Sequence, residues 1–312
     1  MEEHEKNYDK SLLELVKQRE WEYIRNTAIN KVNEWDVYER DETGSPLLLC
    51  CRFGELSILK LFYSLLPSFN VNEKSNLEST MILEACVSGN IELVEWLIEL
   101  GASLQDKNVY QYSCLFVAVL YGKLELVKWL LDHGFSIDEV DSYGKSCILL
   151  ASCCGYLDIV KLFVEKGGYV KDSDSFGFTC MLAAADRGNY ETVKWLLEHG
   201  SSLDERTNFG DTCLTIACRD GNLDIIKWLV IEKGCSLQEI TTNGTCIIIA
   251  AQNNHTECVI WMLNNGSSID ENTSIDENGN IVQCETSCKD ILEKQGIYED
   301  IKRTFTTKSS RK

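Results

Sequence analysis

No run of 18 apolar residues occurs anywhere in the 312-residue chain, so a membrane-spanning helix is not expected. Basic residues are few beside acidic ones, 30 against 49. The resulting net charge of −19 disfavours the phosphate backbone of nucleic acids and the anionic membrane surface. It suits solubility, or a partner with a basic surface. Only four histidines are present, His4, His133, His199 and His255, and no catalytic constellation forms around them. A glycine-rich phosphate loop is also missing, because the glycines fall where helices end and turns begin. Residues 1–10 are charged and polar and do not read as a signal peptide.

Cysteine is plentiful, and its positions are regular. Cys114, Cys147, Cys180, Cys213 and Cys246 stand 33 residues apart. Trp96, Trp129, Trp195, Trp228 and Trp261 keep the same period, with Leu162 on the missing rung. A fixed period of this size marks a stacked-repeat architecture. One unit, Asp174 to Arg206, shows how it folds. Thr179 can cap a first helix that runs through Met181, Leu182, Ala184 and Ala185, and Gly188 ends it. A second helix runs from about Tyr190 to about His199, with Tyr190, Val193, Leu196 and Leu197 on one apolar face. A polar, turn-rich loop follows Gly200. Helices this short are marginal alone, so stability must come from stacking on the neighbouring unit.

The unit resembles the ankyrin repeat, a β-turn followed by two antiparallel helices with a T-P-L-H-x-A signature. The matching stretches are Ser45-Pro46-Leu47-Leu48, Thr179-Cys180-Met181-Leu182, Thr212-Cys213-Leu214-Thr215 and, in the second helix, Leu126 to Gly134. Cys replaces the signature Pro in most copies, and an apolar residue or Thr replaces the signature His. Without that His a side-chain tie to the adjacent loop is lost, so looser loops are expected. The resemblance implies an all-α ankyrin-repeat solenoid of stacked helix-turn-helix units with β-hairpin-like loops. Its expected parts are a flexible arm at 1–10 and a single array at 11–303, followed by a basic disordered tail at 304–312. Within the array, 11–40 reads as a degenerate N-terminal cap with Glu20 in the place of the turn Gly, and 41–272 as seven repeats. Residues 273–303 read as a C-terminal cap whose loop a local duplication of Ser-Ile-Asp-Glu-Asn has lengthened.

Neighbouring rungs of the cysteine ladder should lie too far apart to bond, since stacked helices are about 8–10 Å apart and a disulfide needs Cα atoms within about 7 Å. Cys86 and Cys218 fill a small-residue slot. Free thiols in such number point to a reducing compartment, cytoplasm or nucleus. The four Asn-X-Ser/Thr sequons, at Asn243, Asn254, Asn265 and Asn272, would matter only in a secreted chain. Cys284 with Cys288, and His255 with Cys258, lack a second ligand pair, so no metal is expected, and no cofactor. The tryptophans read as packing at the edge of the apolar stripe, each N–H kept near water.

In ankyrin proteins the hairpin tips and the ends of the first helices line a concave groove that binds partners. Here the tip slots hold Tyr110, Tyr143, Phe176 and Phe209, and the slots after the turn hold Tyr112, Lys145, Phe178 and Asp211. The helix-end slots hold Leu120-Tyr121, Cys153-Cys154, Asp186-Arg187 and Arg219-Asp220. Aromatics and Arg are enriched at binding hot spots, although tip rings can also pack only against neighbouring hairpins. The expected function is a monomeric, non-enzymatic adaptor or scaffold that binds a protein partner in the groove of repeats three to five. The alternatives are a thiol-based redox or enzymatic role at Cys153 and Cys154, and a purely structural spacer.

Overall fold

The structure is a computed structural model that describes residues 10–32, 34–41, 44–275, 281–283 and 286–309. The expected arm lies outside the described residues except for Lys10. The chain divides into two compact units, 1–142 and 143–312.

Unit one is a ladder of helix pairs. The pairs are α1 (Leu12–Lys17) with α2 (Trp21–Lys31), α3 (Pro46–Phe53) with α4 (Leu56–Leu65), α5 (Met81–Ser88) with α6 (Ile91–Glu99), and α7 (Cys114–Leu120) with α8 (Leu124–Asp132). The first helix of each pair packs on the first helix of the next. Unit two repeats the plan with α9 (Cys147–Cys154) and α10 (Leu157–Glu165), α11 (Cys180–Asp186) and α12 (Tyr190–Glu198), and α13 (Cys213–Asp220) and α14 (Leu223–Ile231). It continues with α15 (Cys246–Gln252) and α16 (Thr256–Asn264), then α17 (Cys288–Lys294) and α18 (Tyr298–Ser309). Helix α18 thus extends past position 303, where the array was expected to end.

First helices inside the array are buried on nearly every side. From Cys180 to Ala185 each residue is buried, because one neighbour covers each flank and the second helix covers the back. Second helices bury one stripe only, such as Val193 and Leu196 on α12. Each fully buried Leu, Val or Met contributes about 1.5–3 kcal/mol, which is how helices of about two turns hold together. Ser45, Ser113, Ser146, Thr179 and Thr212 cap the first helices by accepting a backbone N–H three residues on.

Two side-chain ladders tie one repeat to the next. In the first, the capping hydroxyl donates to an acid in the following loop: Ser113 to Glu139, Thr179 to Glu205, and Thr212 to Glu239 at 3.0 Å. Ser45 bonds Glu73 in the same way. These acids do the work assigned to the missing signature His, so the loops are tied and not loose as expected. In the second ladder, the residue before four of the second helices reaches back to a carbonyl at the end of the first helix of the preceding repeat. Asn90 reaches Gly54 at 3.1 Å, Asn189 reaches Cys153 at 2.8 Å, and Asn222 reaches Ala185 at 2.9 Å. His255 takes this slot with Nε2 2.8 Å from the Arg219 carbonyl. The turn at Gly188 needs both a positive φ, 70°, and open space, since a Cβ there would lie 2.5 Å from the Asn222 side-chain oxygen. In the N-terminal cap the left-handed turn residue is Arg19, φ 58°, and not Glu20 as expected, so the unit begins its second helix one residue earlier in phase.

The lengthened loop is a second hairpin. Strands β1 (Ile240–Thr241) and β2 (Gly244–Thr245) form the ordinary repeat hairpin. Strands β3 (Thr273–Ile275) and β4 (Ile281–Gln283) pair antiparallel, Ser274 opposite Val282, and β3 packs beside β1 and β2. The tryptophans are half-buried at Trp96, Trp129, Trp195 and Trp261, but Trp228 is only 4% exposed. Its Nε1 has no hydrogen-bond partner among the described residues, contrary to the expectation that each N–H stays near water. Trp129 and Trp195 stack on His133 and His199, with ring centroids 3.7 and 3.9 Å apart.

Candidate functional site

Of the groove residues expected from the sequence, Tyr110, Tyr112, Leu120 and Tyr121 line a cleft in unit one, and Tyr143, Lys145, Phe176, Phe178, Asp186 and Arg187 line one in unit two, while Phe209, Asp211, Arg219 and Asp220 line neither. Both clefts are made by the loop tips and the C-terminal ends of first helices.

Each tip is a turn held by the side chain that opens it. Asn108 Oδ1 accepts from the backbone N–H of Tyr110 at 3.0 Å and of Tyr112 at 3.1 Å. Asp174 Oδ1 does the same for Phe176 at 2.9 Å and Phe178 at 3.0 Å. Successive tips are also joined, Val109 N–H to the Leu77 carbonyl at 3.1 Å and Asn208 N–H to the Phe176 carbonyl at 3.0 Å. With the backbone fixed so, the rings point outward: Tyr110, Tyr121, Tyr143, Phe176 and Phe209 are all exposed. Tyr112 and Phe178 are half-buried, and Tyr112 stacks on Phe116 with centroids 4.7 Å apart.

The cleft of unit one is lined by Tyr110, Tyr112, Leu120 and Tyr121, as expected, and also by Arg52 and Glu84. Glu84 stands in α5 where other first helices carry an apolar residue, and its side chain is 4% exposed. Arg52 grips it with two bonds, Nε to Oε2 at 2.7 Å and Nη2 to Oε1 at 3.1 Å. That hydrogen bond holds the Arg52 guanidinium above its ordinary value. The pair was missed in the sequence, although a lone Glu inside the apolar run Met81-Ile82-Leu83 was the signal.

The cleft of unit two has a volume of about 280 Å³ and is lined by Tyr143, Lys145, Cys153, Asp174, Phe176, Phe178, Ala183, Asp186 and Arg187. Arg187, from the repeat after Cys153, hydrogen-bonds the Cys153 sulfur, and its interactions with Cys153, then with Asp186, hold the guanidinium above its usual range. Cations therefore do stand beside this thiol pair, which the local sequence did not show. Burial nonetheless pushes the Cys154 thiol up, with Lys145 and Arg187 only opposing it.

The charged margin beyond this cleft differs from expectation. Arg219 bonds Asp186 at 2.7 Å and Asp211 at 3.1 Å, with Asp220 at 3.7 Å. The Asp211 side chain is 6% exposed, so it is not a contact residue as expected but the buried partner of an internal ion cluster. Burial holds Asp211 and Asp220 above the ordinary carboxylate range, and for Asp220 the neighbouring Asp186 adds to it.

The cysteine ladder is buried, and burial pushes Cys180 and Cys288 up to about 12. Thiols meet between different slots and not along the ladder: Cys86 bonds Cys114, and Cys218 bonds Cys246. No group of three metal-ligating side chains occurs among the described residues. No helix among them is long and apolar enough to cross a membrane.

A family profile described as "Ankyrin repeats (3 copies)" matches residues 100–174, 148–241 and 180–273, together more than half of the chain. Among solved structures, the crystal structure of the human ASB11 ankyrin repeat domain aligns with a TM-score of 0.56 and 25% identity. The alignment covers 72% of this chain and 99% of that one. No curated protein sequence matches. With paired short helices, buried first helices and hairpin tips already in place, the chain belongs to the ankyrin-repeat family. Its fold is an ankyrin-repeat solenoid, and such repeats are protein–protein interaction modules.

Proposed function

We propose that the chain is a monomeric, non-enzymatic adaptor or scaffold that binds a protein partner through its aromatic clefts, in the cytoplasm or nucleus. The observation that carries this reading is the outward presentation of rings on rigid turns. Tyr143 and Phe176 are exposed, and the turn that holds Phe176 is closed by backbone N–H bonds to Asp174 that do not involve its ring. Stacking of the repeats gives no reason for such rings, while binding hot spots are rich in them. The charge of −19 favours a partner that is basic over most of its contact surface.

Replacing Tyr143 and Phe176 together with Ala should weaken partner binding by about 2 kcal/mol or more, the usual hot-spot threshold. Titration calorimetry with a captured partner measures it, and the melting temperature should hold. An unchanged affinity would remove the clefts from the binding surface. The thiol alternative keeps one observation in its favour, the Arg187 contact to Cys153. Rapid, selective loss of the Cys153–Cys154 pair under mild oxidant would support it, and uniform slow loss of all thiols would count against it.

A further inference from the structure

The cleft of unit two carries more than exposed rings. Its two carboxylates are already held: Asp174 by two backbone N–H groups, and Asp186 by Arg219 at 2.7 Å. Arg187 is different. Its side chain is 66% exposed, and its contact with Asp186 is a long 3.5 Å through Nε. Arg187 also hydrogen-bonds the Cys153 sulfur, but a guanidinium carries five N–H donors, so this exposed cation on the cleft's lining keeps donors for a carboxylate. The volume of about 280 Å³ lies just below the range of about 300–1,000 Å³ typical of small-molecule pockets, so it fits one or two side chains of a peptide better than a free ligand.

We propose, resting on the partner-binding reading above, that this cleft accepts a peptide segment in which one Asp or Glu neighbours an aromatic or aliphatic residue. The carboxylate pairs with Arg187, and the apolar side chain lies between Phe176, Phe178 and Tyr143. The charge of the whole chain sharpens the selection. A strongly acidic surface repels carboxylates elsewhere, so an acid on a partner is tolerated only where a cation projects. The cleft therefore fixes register, while a basic remainder of the partner faces the acidic surface.

The test uses the intact chain and a phage-displayed library of random twelve-residue peptides. Enriched peptides should carry Asp or Glu within two positions of an aromatic or aliphatic residue. For a fluorescein-labelled synthetic copy, changing that acid to its amide should weaken binding at least tenfold in fluorescence anisotropy. Arg187→Glu should do the same, and a peptide with Lys in place of the acid should recover part of the loss on that variant. Arg187→Gln serves as the second variant if Arg187→Glu does not fold. Peptides without an acid, a loss under twofold on amidation, or an Arg187→Glu variant that binds unchanged would each overturn the proposal, as would a selection that enriches nothing. If binding survives Arg187→Glu but is abolished by Tyr110→Ala with Tyr121→Ala, aromatic-cleft recognition stands and the carboxylate anchor fails. If neither set of changes matters, both readings fail.

Discussion

The clefts of the two units are built on the same slots, yet they dispose of charge in opposite ways. In unit one Arg52 turns down onto the buried Glu84, and the cleft is electrically closed beneath its tyrosines. In unit two the same helix position, two residues before the turn Gly, holds Arg219, which gathers Asp186 and Asp211. That leaves Arg187, one residue further on, facing outward. A charged residue in a repeat array thus becomes scaffold or contact according to what the adjoining repeat offers it. Its own repeat position does not decide the matter.

The comparison is tested most severely at Arg52. Removing it leaves Glu84 buried without its fork of donors. Breaking a buried pair costs about 3–5 kcal/mol, and the low end, about 3 kcal/mol, is expected because Arg52 itself is 38% exposed. Urea unfolding of Arg52→Ala gives the value. Replacing Arg52 by Met and Glu84 by Leu together should return most of the stability, since an apolar pair of similar volume needs no desolvation. A loss below about 0.5 kcal/mol in the single variant would mean that water reaches Glu84 and that the two clefts do not differ as described.

The sequence made the repeat period and the helix ends legible, because these follow from single residue types at fixed spacing. Cys180 at the first helical position and Gly188 in the left-handed turn needed nothing beyond periodicity, while placing Phe176 at a tip needed the ankyrin resemblance as well. What the sequence hid were relations between repeats. That Asp211 is buried depends on Arg219 folding back over it, eight residues on, and on Asp186 in the repeat before. That Arg187 reaches Cys153 depends on the stacking of α11 against α9. The Ser/Thr-to-acid ladder was visible as an acid about 26 residues after each cap, but only the folded chain shows the loop returning to the hydroxyl. Trp228 and Trp195 share a slot and differ in burial because Tyr190 packs edge-on against Trp228, centroids 5.7 Å apart, while Trp195 stacks on His199.

A smaller effect separates the ion cluster of unit two from the single pair of unit one. Arg219→Ala should cost about 1–2 kcal/mol at pH 7.5, because Asp211 and Asp186 lose a partner but can take up a proton or meet water. Burial already raises Asp211, Asp220 and Glu73 above the ordinary carboxylate range. A carboxyl raised in the folded state binds its proton there before it does when unfolded, so stability falls as pH rises through that interval and grows as pH drops into it. The parent chain should therefore melt higher just above the ordinary carboxylate range than at neutral pH, and relief of self-repulsion acts in the same direction. The deficit of Arg219→Ala should shrink over the same range, since the mutation removes the cation that opposed the rise at Asp211. Melting curves at the two pH values decide this. A deficit that does not change on acidification would show that Asp186 and Asp211 stay ionised throughout, as in an ordinary surface pair.

The smallest effect is expected at Arg187, and it is the one on which the contrast between the clefts rests. Its guanidinium is 66% exposed and meets Asp186 only at 3.5 Å, and Asp186 keeps the shorter bond from Arg219 when Arg187 is gone. Exposed pairs of this kind are worth about 0–1 kcal/mol, and the entropy regained by a freed cleft offsets part of that. Arg187→Ala should therefore change folding stability by less than about 0.5 kcal/mol, within the ordinary range of surface substitutions. Urea unfolding beside Arg52→Ala, under identical conditions, makes the two numbers directly comparable. A loss at Arg187 above about 1 kcal/mol would place it in the scaffold, tied through Cys153 as firmly as Arg52 is through Glu84. The two clefts would then be two versions of one closed design, and the cation would no longer be available to a partner.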